Sequence, residues 1–103
     1  MVLTLVYITN PSREKAEELA RHLLEKRLIG CANIFPIGSI YRWKGKLTEE
    51  KEFVLLAKTT EKNFNKVKGE VENIHPYDVP CIMRIPAEVN EKYLKWLEGE
   101  IKE

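Results

Sequence analysis

The segment CANIFPIGSIYRWKGKLTEEKEFVLLAKT, residues 31–59, decides the fold. Its two ends are runs of apolar and β-branched residues, and a glycine-containing KGK tripeptide and a charged stretch lie between them. Such runs joined by a turn signal predict a long β-hairpin with Trp43 and Gly45 at its tip. Pro36 and Gly38 interrupt the first run, so we expect a bulge or bend in that strand.

A strand and a helix are predicted before the hairpin. Residues 2–9 are nearly all apolar or β-branched, which is typical of a buried strand. Apolar residues then recur at three-four spacing over 16–28 and predict an amphipathic helix. The helix is expected to begin after Ser12 and to stop at Gly30.

A second helix and a short strand are predicted after the hairpin. Thr59 or Thr60 is the expected N-terminal cap of the helix. Pro76 and Pro80 end it ahead of a strand at 81–85. The predicted buried stripe of this helix consists of Phe64, Val67, Val71 and Ile74.

A last amphipathic helix opens at Asn90, with Trp96 at the edge of its apolar face. The order is therefore βαββαβ plus a C-terminal helix, in a single domain over residues 1–103. Right-handed crossovers fold such an order into an α+β, ferredoxin-like sandwich: two helices pack on one face of a mostly antiparallel four-stranded sheet. Because the strands are also apolar on their other side, we expect further copies of the chain to cover that face.

Composition excludes several classes of partner. The 103 residues carry 17 basic and 16 acidic side chains, interspersed to a net charge of +1, so no basic stripe for nucleic acid is present. The longest apolar run, residues 2–8, is too short to span a bilayer and lacks the features of a signal peptide, which predicts a cytoplasmic protein with no membrane partner. Cys31 and Cys81 form no CxxC motif and are expected to be reduced. The 32% of charged residues suits ion-pair networks of a thermostable protein.

No catalytic motif is present. The chain contains no GxSxG, P-loop, GxGxxG or HExxH sequence, and Ser12 and Ser39 are its only serines. A nucleophile, a base and an orienting acid cannot be assembled from neighbouring positions. We therefore expect a protein that is not an enzyme.

The segment NIHPYDVP, residues 73–80, leaves two roles open for His75. The histidine either ends a helix, or it serves as a ligand or proton carrier held by the HPY geometry near Tyr77 and Asp78. Cys31 is likewise either a small buried hydrophobe or a soft ligand for copper, if an imidazole or carboxylate converges on it. Cys81 is predicted to lie in the core.

Two large aromatic residues, Tyr41 and Trp43, lie at the predicted hairpin tip, and Glu49, Glu50 and Glu52 follow in the next strand. An exposed tip is one interpretation of this cluster. A docking surface is favoured, because large aromatic rings are unfavourable in water.

Taken together, five segments resemble the CutA family of divalent-cation tolerance proteins: GCAN at 30–33, SIYRWKGK at 39–46, EEKEFVLLAKTT at 49–60, HPYDVP at 75–80 and YLKWL at 93–97. The resemblance extends in order over essentially the whole chain. The combination of HPY, a following proline and a Y-x-W-x-G hairpin is specific.

This resemblance implies a ferredoxin-like subunit in a tight homotrimer, similar to the trimers of PII signalling proteins, and a role in tolerance of copper and other divalent metal ions. It implies no reaction. It suggests Cys31 and His75 as copper contacts, while some members carry a cysteine where this chain has Ile8 and a second histidine where it has Ile74. The residues implied near a cleft between subunits are Tyr41, Trp43, Lys58, Tyr77, Glu49, Glu50 and Glu52.

Three functions remain open from the sequence. The first is a trimeric protein that binds copper or another divalent cation, in response to metal ions. The second is a PII-like sensor of a small anionic metabolite, for which Lys58 and Arg84 are the candidate contacts. The third is a scaffold or anchoring trimer with no ligand of its own.

Overall fold

A computed structural model describes residues 1–102 and shows a four-stranded sheet with helices on both faces. The strand order is β2-β3-β1-β4, and each of the three pairings is antiparallel. The predicted α+β, ferredoxin-like arrangement with an added C-terminal helix is confirmed. The elements are β1 (Val2–Asn10), α1 (Arg13–Glu25), β2 (Cys31–Trp43), β3 (Lys46–Thr59), a 3-10 turn (Glu61–Asn63), α2 (Phe64–Ile74), β4 (Ile82–Glu88) and α3 (Glu91–Glu100).

The β2–β3 hairpin is regular along its whole length. Lys44 and Gly45 form its two-residue turn with φ angles of 50° and 80°, the positive values that a type I′ turn requires. The predicted bulge is wrong: Pro36 pairs with Phe53 within one unbroken register. The proline is accommodated because β2 is an edge strand, where a missing amide does not interrupt a ladder on both sides.

Helices α1 and α2 cover one face of the sheet. Their buried side chains pack on alternate residues of the two central strands, among them Val6 and Ile8 of β1 and Leu55 and Ala57 of β3. The predicted stripe of α2 is correct except for Ile74, which is half-exposed. As the last residue of α2, Ile74 lines a shallow surface cavity beside α1 instead of the core.

Helix α3 covers one end of the opposite face, which we call the second face. Leu94 and Leu97 pack there on Leu3 of β1, whose side chain lies on the other side of the strand from Val6 and Ile8. The remainder of the second face is apolar and only partly covered by this chain. Side chains of this region that stay exposed are Phe35, Met83 and Ile85.

The end of α1 differs from the prediction. The helix ends at Glu25, and Gly30 is not its stop. Arg27 adopts the left-handed conformation, with φ of 58°, and the amide of Leu28 donates to the carbonyl of Leu23 at 3.0 Å. This is the hydrogen bond of a Schellman motif, with arginine in the position that glycine usually occupies.

Contacts with α3 explain why Arg27 adopts a left-handed conformation and why residue 30 is a glycine. The Arg27 guanidinium donates to the carbonyl of Glu100 at 3.0 Å and to that of Gly99 at 3.3 Å, so its charge lies at the negative end of the α3 dipole. A Cβ at Gly30 would overlap the Cδ1 atom of buried Leu97. Gly30 is therefore required for the close approach of α3.

Two smaller differences concern the ends of β4 and α2. Strand β4 reaches Glu88 instead of residue 85, because it pairs with β1 as far as Val2. A 3-10 turn precedes α2, and of the two threonines predicted as caps, Thr60 occupies the N-cap position of this turn. The Thr59 hydroxyl instead donates to the carbonyl of Leu28 at 2.7 Å. Trp96 is half-exposed on α3, as predicted. Among residues 1–102, no helix combines the length and apolar character needed to cross a membrane.

Candidate functional site

The hairpin extends past the end of β1 and carries polar side chains on the second face. Because side chains alternate along a strand, Tyr41, Trp43, Glu50 and Glu52 lie on that face together. The loop of residues 75–81, between α2 and β4, folds against them. The loop and the hairpin enclose a cavity of about 500 Å³, which we call the acidic cavity; it is lined by Thr9, Tyr41, Trp43, Glu50, Glu52, Pro76, Tyr77, Asp78, Val79 and Cys81.

Glu52 is the buried carboxylate of the acidic cavity, with 6% of its surface exposed. The Tyr77 hydroxyl donates to its Oε2 atom at 2.7 Å. Burial and then this hydrogen bond to a carboxylate raise the pKa of Tyr77. The phenol therefore stays protonated at neutral pH and keeps the Glu52 side chain in place.

A second tyrosine–carboxylate pair lies nearer the hairpin tip. The Tyr41 hydroxyl donates to the Oε1 atom of Glu50 at 2.6 Å. This hydrogen bond is the largest of the effects that raise the pKa of Tyr41 to about 12. Each cavity glutamate is thus oriented by its own phenol donor.

The acidic cavity has an unbalanced charge. Three carboxylates line it, from Glu50, Glu52 and Asp78, and no lysine or arginine does. Within residues 1–102, none of these three forms an ion pair, and Glu52 accepts no hydrogen bond beyond the one from Tyr77. Burial of a carboxylate is unfavourable unless a cation or donors compensate it. The arrangement therefore favours a cation in the cavity.

His75 uses both ring nitrogens in hydrogen bonds. Its Nε2 lies 2.8 Å from the carbonyl oxygen of Thr9, and its Nδ1 lies 3.1 Å from the amide of Tyr77. A carbonyl only accepts and an amide only donates, so the ring is the neutral tautomer with its proton on Nε2. Its backbone amide also donates to the carbonyl of Val71 at the end of α2. Of the two roles left open by the sequence, this geometry is that of a structural helix end.

Cys31 lies at the other end of the second face. It pairs in register with Lys58, whose Nζ atom is 3.9 Å from the thiol sulfur and 5.3 Å from the Tyr93 ring centroid. His75 contacts Thr9, which pairs with Val54, four residues from Lys58 along β3 and so about 13 Å away. One subunit therefore does not bring Cys31 and His75 together. Among the described residues, no three histidine, cysteine, aspartate or glutamate side chains are grouped so as to hold a metal.

Most of the residues implied for a cleft do line the acidic cavity: Tyr41, Trp43, Tyr77, Glu50 and Glu52. Glu49 does not, because it faces the opposite side of the hairpin, and Lys58 lies beside Cys31. Sequence reasoning placed Cys81 in the core, whereas it is half-buried and lines the cavity. Burial, followed by the charge of Glu52, raises the pKa of the Cys81 thiol.

The two cations suggested for an anionic metabolite lie on opposite faces of the sheet. Arg84 lies over the Phe64 ring, 5.0 Å from its centroid, beneath α2, whereas Lys58 is on the second face. They do not converge on a common ligand within the chain. The geometry therefore gives no support to an anion site built from these residues.

Comparisons with known proteins identify the family. The family model described as CutA1 divalent ion tolerance protein matches residues 4–100. The divalent-cation tolerance protein CutA of Thermus thermophilus is 50% identical over 95 residues, covering 90% of this chain and 92% of the relative. That of Archaeoglobus fulgidus is 44% identical over 98 residues, covering 94% and 96%.

The fold comparison agrees. The crystal structure of CutA1 from Pyrococcus horikoshii superposes with a TM-score of 0.94 at 44% identity, covering 97% of this chain and 99% of that one. The resemblance found in the sequence is confirmed. This chain belongs to the CutA1 divalent ion tolerance protein family.

Proposed function

We propose that the protein binds copper or another divalent cation weakly in the acidic cavity, and that this binding underlies its part in divalent-cation tolerance. The observation that carries the proposal is Glu52, a buried carboxylate with one hydrogen bond and no cationic partner among the described residues. A divalent ion would supply the missing charge. No turnover is required, and we propose a binding protein without enzymatic activity.

The donors of one subunit do not complete a metal site, because among residues 1–102 no three histidine, cysteine, aspartate or glutamate side chains are grouped so as to hold an ion. The binding is therefore weak unless a neighbouring subunit adds a ligand. The oxygens of Glu50, Glu52 and Asp78 suit hard cations, and the Cys81 thiol adds a soft donor that suits copper. A thiol must lose its proton to bind the ion, and the raised pKa of Cys81 makes this loss less favourable. We expect copper to bind more tightly than magnesium or calcium, because a thiol is a soft ligand that suits copper, whereas magnesium and calcium are bound by oxygen atoms.

We further propose that the protein is a homotrimer. Its second face leaves Phe35, Met83 and Ile85 exposed, and the hairpin exposes Ile40 and Leu47 on its other side. Three copies about a three-fold axis cover apolar faces and pair strand edges with identical closed contacts. We expect such an assembly to bring side chains of a neighbouring subunit to the acidic cavity, as the resemblance to the family implies.

Titration calorimetry with copper, magnesium and calcium tests the metal proposal. Glu52→Gln should weaken copper binding about tenfold or more, since it removes a charged ligand. Glu49→Gln is the matched control, because Glu49 is a neighbouring carboxylate on the opposite side of the hairpin. Equal affinity for copper in the parent and in Glu52→Gln would refute the cavity as the metal site. Binding of no cation would favour the scaffold function.

Light scattering after size exclusion tests the trimer. Obligate interfaces typically bury about 2,000 Å² or more, so a trimer should persist on dilution to micromolar concentration. Trp43→Ala should weaken assembly before it unfolds the subunit, since the ring lies on the extended hairpin away from the core. A mass of one chain for the parent protein, or an unchanged trimer after both Tyr41 and Trp43 are replaced by charged residues, contradicts the proposed interface.

A further inference from the structure

We propose that the acidic cavity also binds aliphatic ammonium ions, of which a short diamine is the best fit. This inference uses the same cavity as the metal proposal but does not depend on metal binding. It rests on three features: aromatic rings beside the carboxylates, the spacing of the two glutamates, and the size of the cavity.

Aromatic rings and carboxylates line the cavity together. Tyr41, Trp43 and Tyr77 contribute three rings to the surface that Glu50 and Glu52 make acidic. An ammonium ion is attracted both to the face of an aromatic ring and to a carboxylate, and its carbon chain packs on the rings. The rings therefore add affinity for an organic cation that they do not add for a metal ion.

The chain itself shows an alkylammonium beside one of these rings. The Nζ atom of Lys44 lies 5.9 Å from the Trp43 ring centroid, within the range of a cation–π contact. Lys44 is in the exposed turn of the hairpin and does not line the cavity. This contact shows that the Trp43 ring can have an ammonium group over its face.

The spacing of the two glutamates fits a ligand that carries two positive charges. Glu50 and Glu52 lie two residues apart on one face of β3, so their Cα atoms are about 7 Å apart. Each is held by a different tyrosine, through one oxygen, and the other oxygen has no donor among residues 1–102. Two carboxylates held apart in this way match the two ammonium ends of a short diamine.

The size of the cavity agrees with an organic ligand. A volume of about 500 Å³ lies within the roughly 300–1,000 Å³ of small-molecule sites. In the part of the chain that the structure describes, no three potential metal ligands cluster, here or elsewhere. The cavity thus has the volume, the charge and the lining of an amine site.

Diaminobutane is the probe, and butanediol is its uncharged control of the same chain length. Titration calorimetry in metal-free buffer at neutral pH should show saturable binding of the diamine and none of the diol. Trp96→Phe leaves Trp43 as the single tryptophan, so its fluorescence should change on addition of the diamine. Equal binding of diamine and diol, or no binding of the diamine, overturns the proposal.

Variants locate the binding. Glu52→Gln should lower the affinity for diaminobutane about tenfold or more, because an ammonium–carboxylate contact is lost. Trp43→Leu should lower it roughly threefold or more through loss of the ring face, measured at a concentration at which light scattering gives the variant the same mass as the parent. Glu49→Gln should leave it unchanged. An unaltered affinity in Glu52→Gln refutes the assignment, provided that its circular dichroism spectrum matches the parent.

The same variants separate this inference from the metal proposal. Copper binding that is lost in Glu52→Gln, in a protein that ignores diaminobutane, overturns the amine site and supports the metal site. Binding of diaminobutane by a protein that does not bind copper supports the amine site and overturns the metal site. Each titration is carried out with one ligand alone, because copper and amines bind each other.

Discussion

Replacement of Glu52 by glutamine should make the protein more stable when no ligand is bound. The glutamate is 6% exposed and has no cationic partner among residues 1–102. Glutamine has nearly the same shape, and its amide oxygen can accept the hydrogen bond that the Tyr77 hydroxyl donates at 2.7 Å. The substitution therefore removes the charge and keeps the contact.

Two opposing contributions decide whether Glu52→Gln raises or lowers the stability of the protein. A hydrogen bond to a charged acceptor contributes about 1.5–3 kcal/mol and one to a neutral acceptor about 0.5–1.5 kcal/mol, so the weaker bond lowers stability by about 1 kcal/mol. Burial of an ion disfavours the folded state by several kcal/mol, which the open side of the cavity reduces in part. We expect a net gain of about 1 kcal/mol or more, which corresponds to roughly 4–8 °C in Tm for a domain of this size.

Thermal and denaturant unfolding at one fixed protomer concentration measure the difference, since the stability of an assembly depends on concentration. Glu49→Gln is the control and should change stability by less than about 0.5 kcal/mol, because this carboxylate is exposed. A less stable Glu52→Gln would refute the reasoning. It would mean that a cation from a neighbouring subunit already balances Glu52, so that the cavity is not available to a ligand.

Three further predictions concern the scaffold. Gly30→Ala should lower the free energy of unfolding by about 1–3 kcal/mol, because the added methyl group overpacks against α3. Gly69→Ala should raise it by about 0.5–1 kcal/mol, because Gly69 lies in a helix interior with open space at its Cβ. Chemical denaturation measures both changes. Arg27→Gly should be more stable than Arg27→Ala by about 1 kcal/mol in the same assay, because both lose the guanidinium bonds to α3 but only glycine relieves the positive φ. The hydrogen bond from His22 lowers the pKa of Glu70 below that of a free glutamate. The stability that Glu70 contributes is therefore present above the ordinary pKa of a glutamate and is lost as the pH falls through the lowered, folded-state pKa; a stability difference between parent and Glu70→Gln that persists at pH 2 would contradict this.

Periodicity was sufficient to predict the elements, and it failed where distant contacts decide a local conformation. Three-four spacing predicts the buried stripe of α3, and that of α1 except for Leu24, whose side chain is exposed. The end of α1 does not, because Arg27 takes a conformation typical of glycine and its side chain is held by carbonyls more than seventy residues away in the sequence. The regularity of β2 could not be predicted either, because the sequence does not show that Pro36 lies on a sheet edge.

The aromatic and acidic residues of the candidate site could be predicted from the sequence, but their arrangement around one cavity could not. Alternation along β2 and β3 places Tyr41, Trp43, Glu50 and Glu52 on one face once the register is known. The register depends on the turn at Lys44 and Gly45, whose positive φ angles sequence reasoning did not use. The fold of the 75–81 loop over the hairpin, which brings in Cys81, has no local signal.

His75 acts on the acidic cavity through Tyr77. Its Nδ1 accepts from the Tyr77 amide, and the hydroxyl of the same tyrosine holds Glu52. A metal ion at Nδ1 would have to displace that amide and so would disturb the carboxylate. Loss of cation binding in His75→Ala therefore does not identify the imidazole as a ligand. Tyr77→Phe distinguishes the roles, because it keeps the amide at Nδ1 and frees Glu52: it should alter cation binding if the cation lies at Glu52, and leave it unchanged if the cation lies on His75.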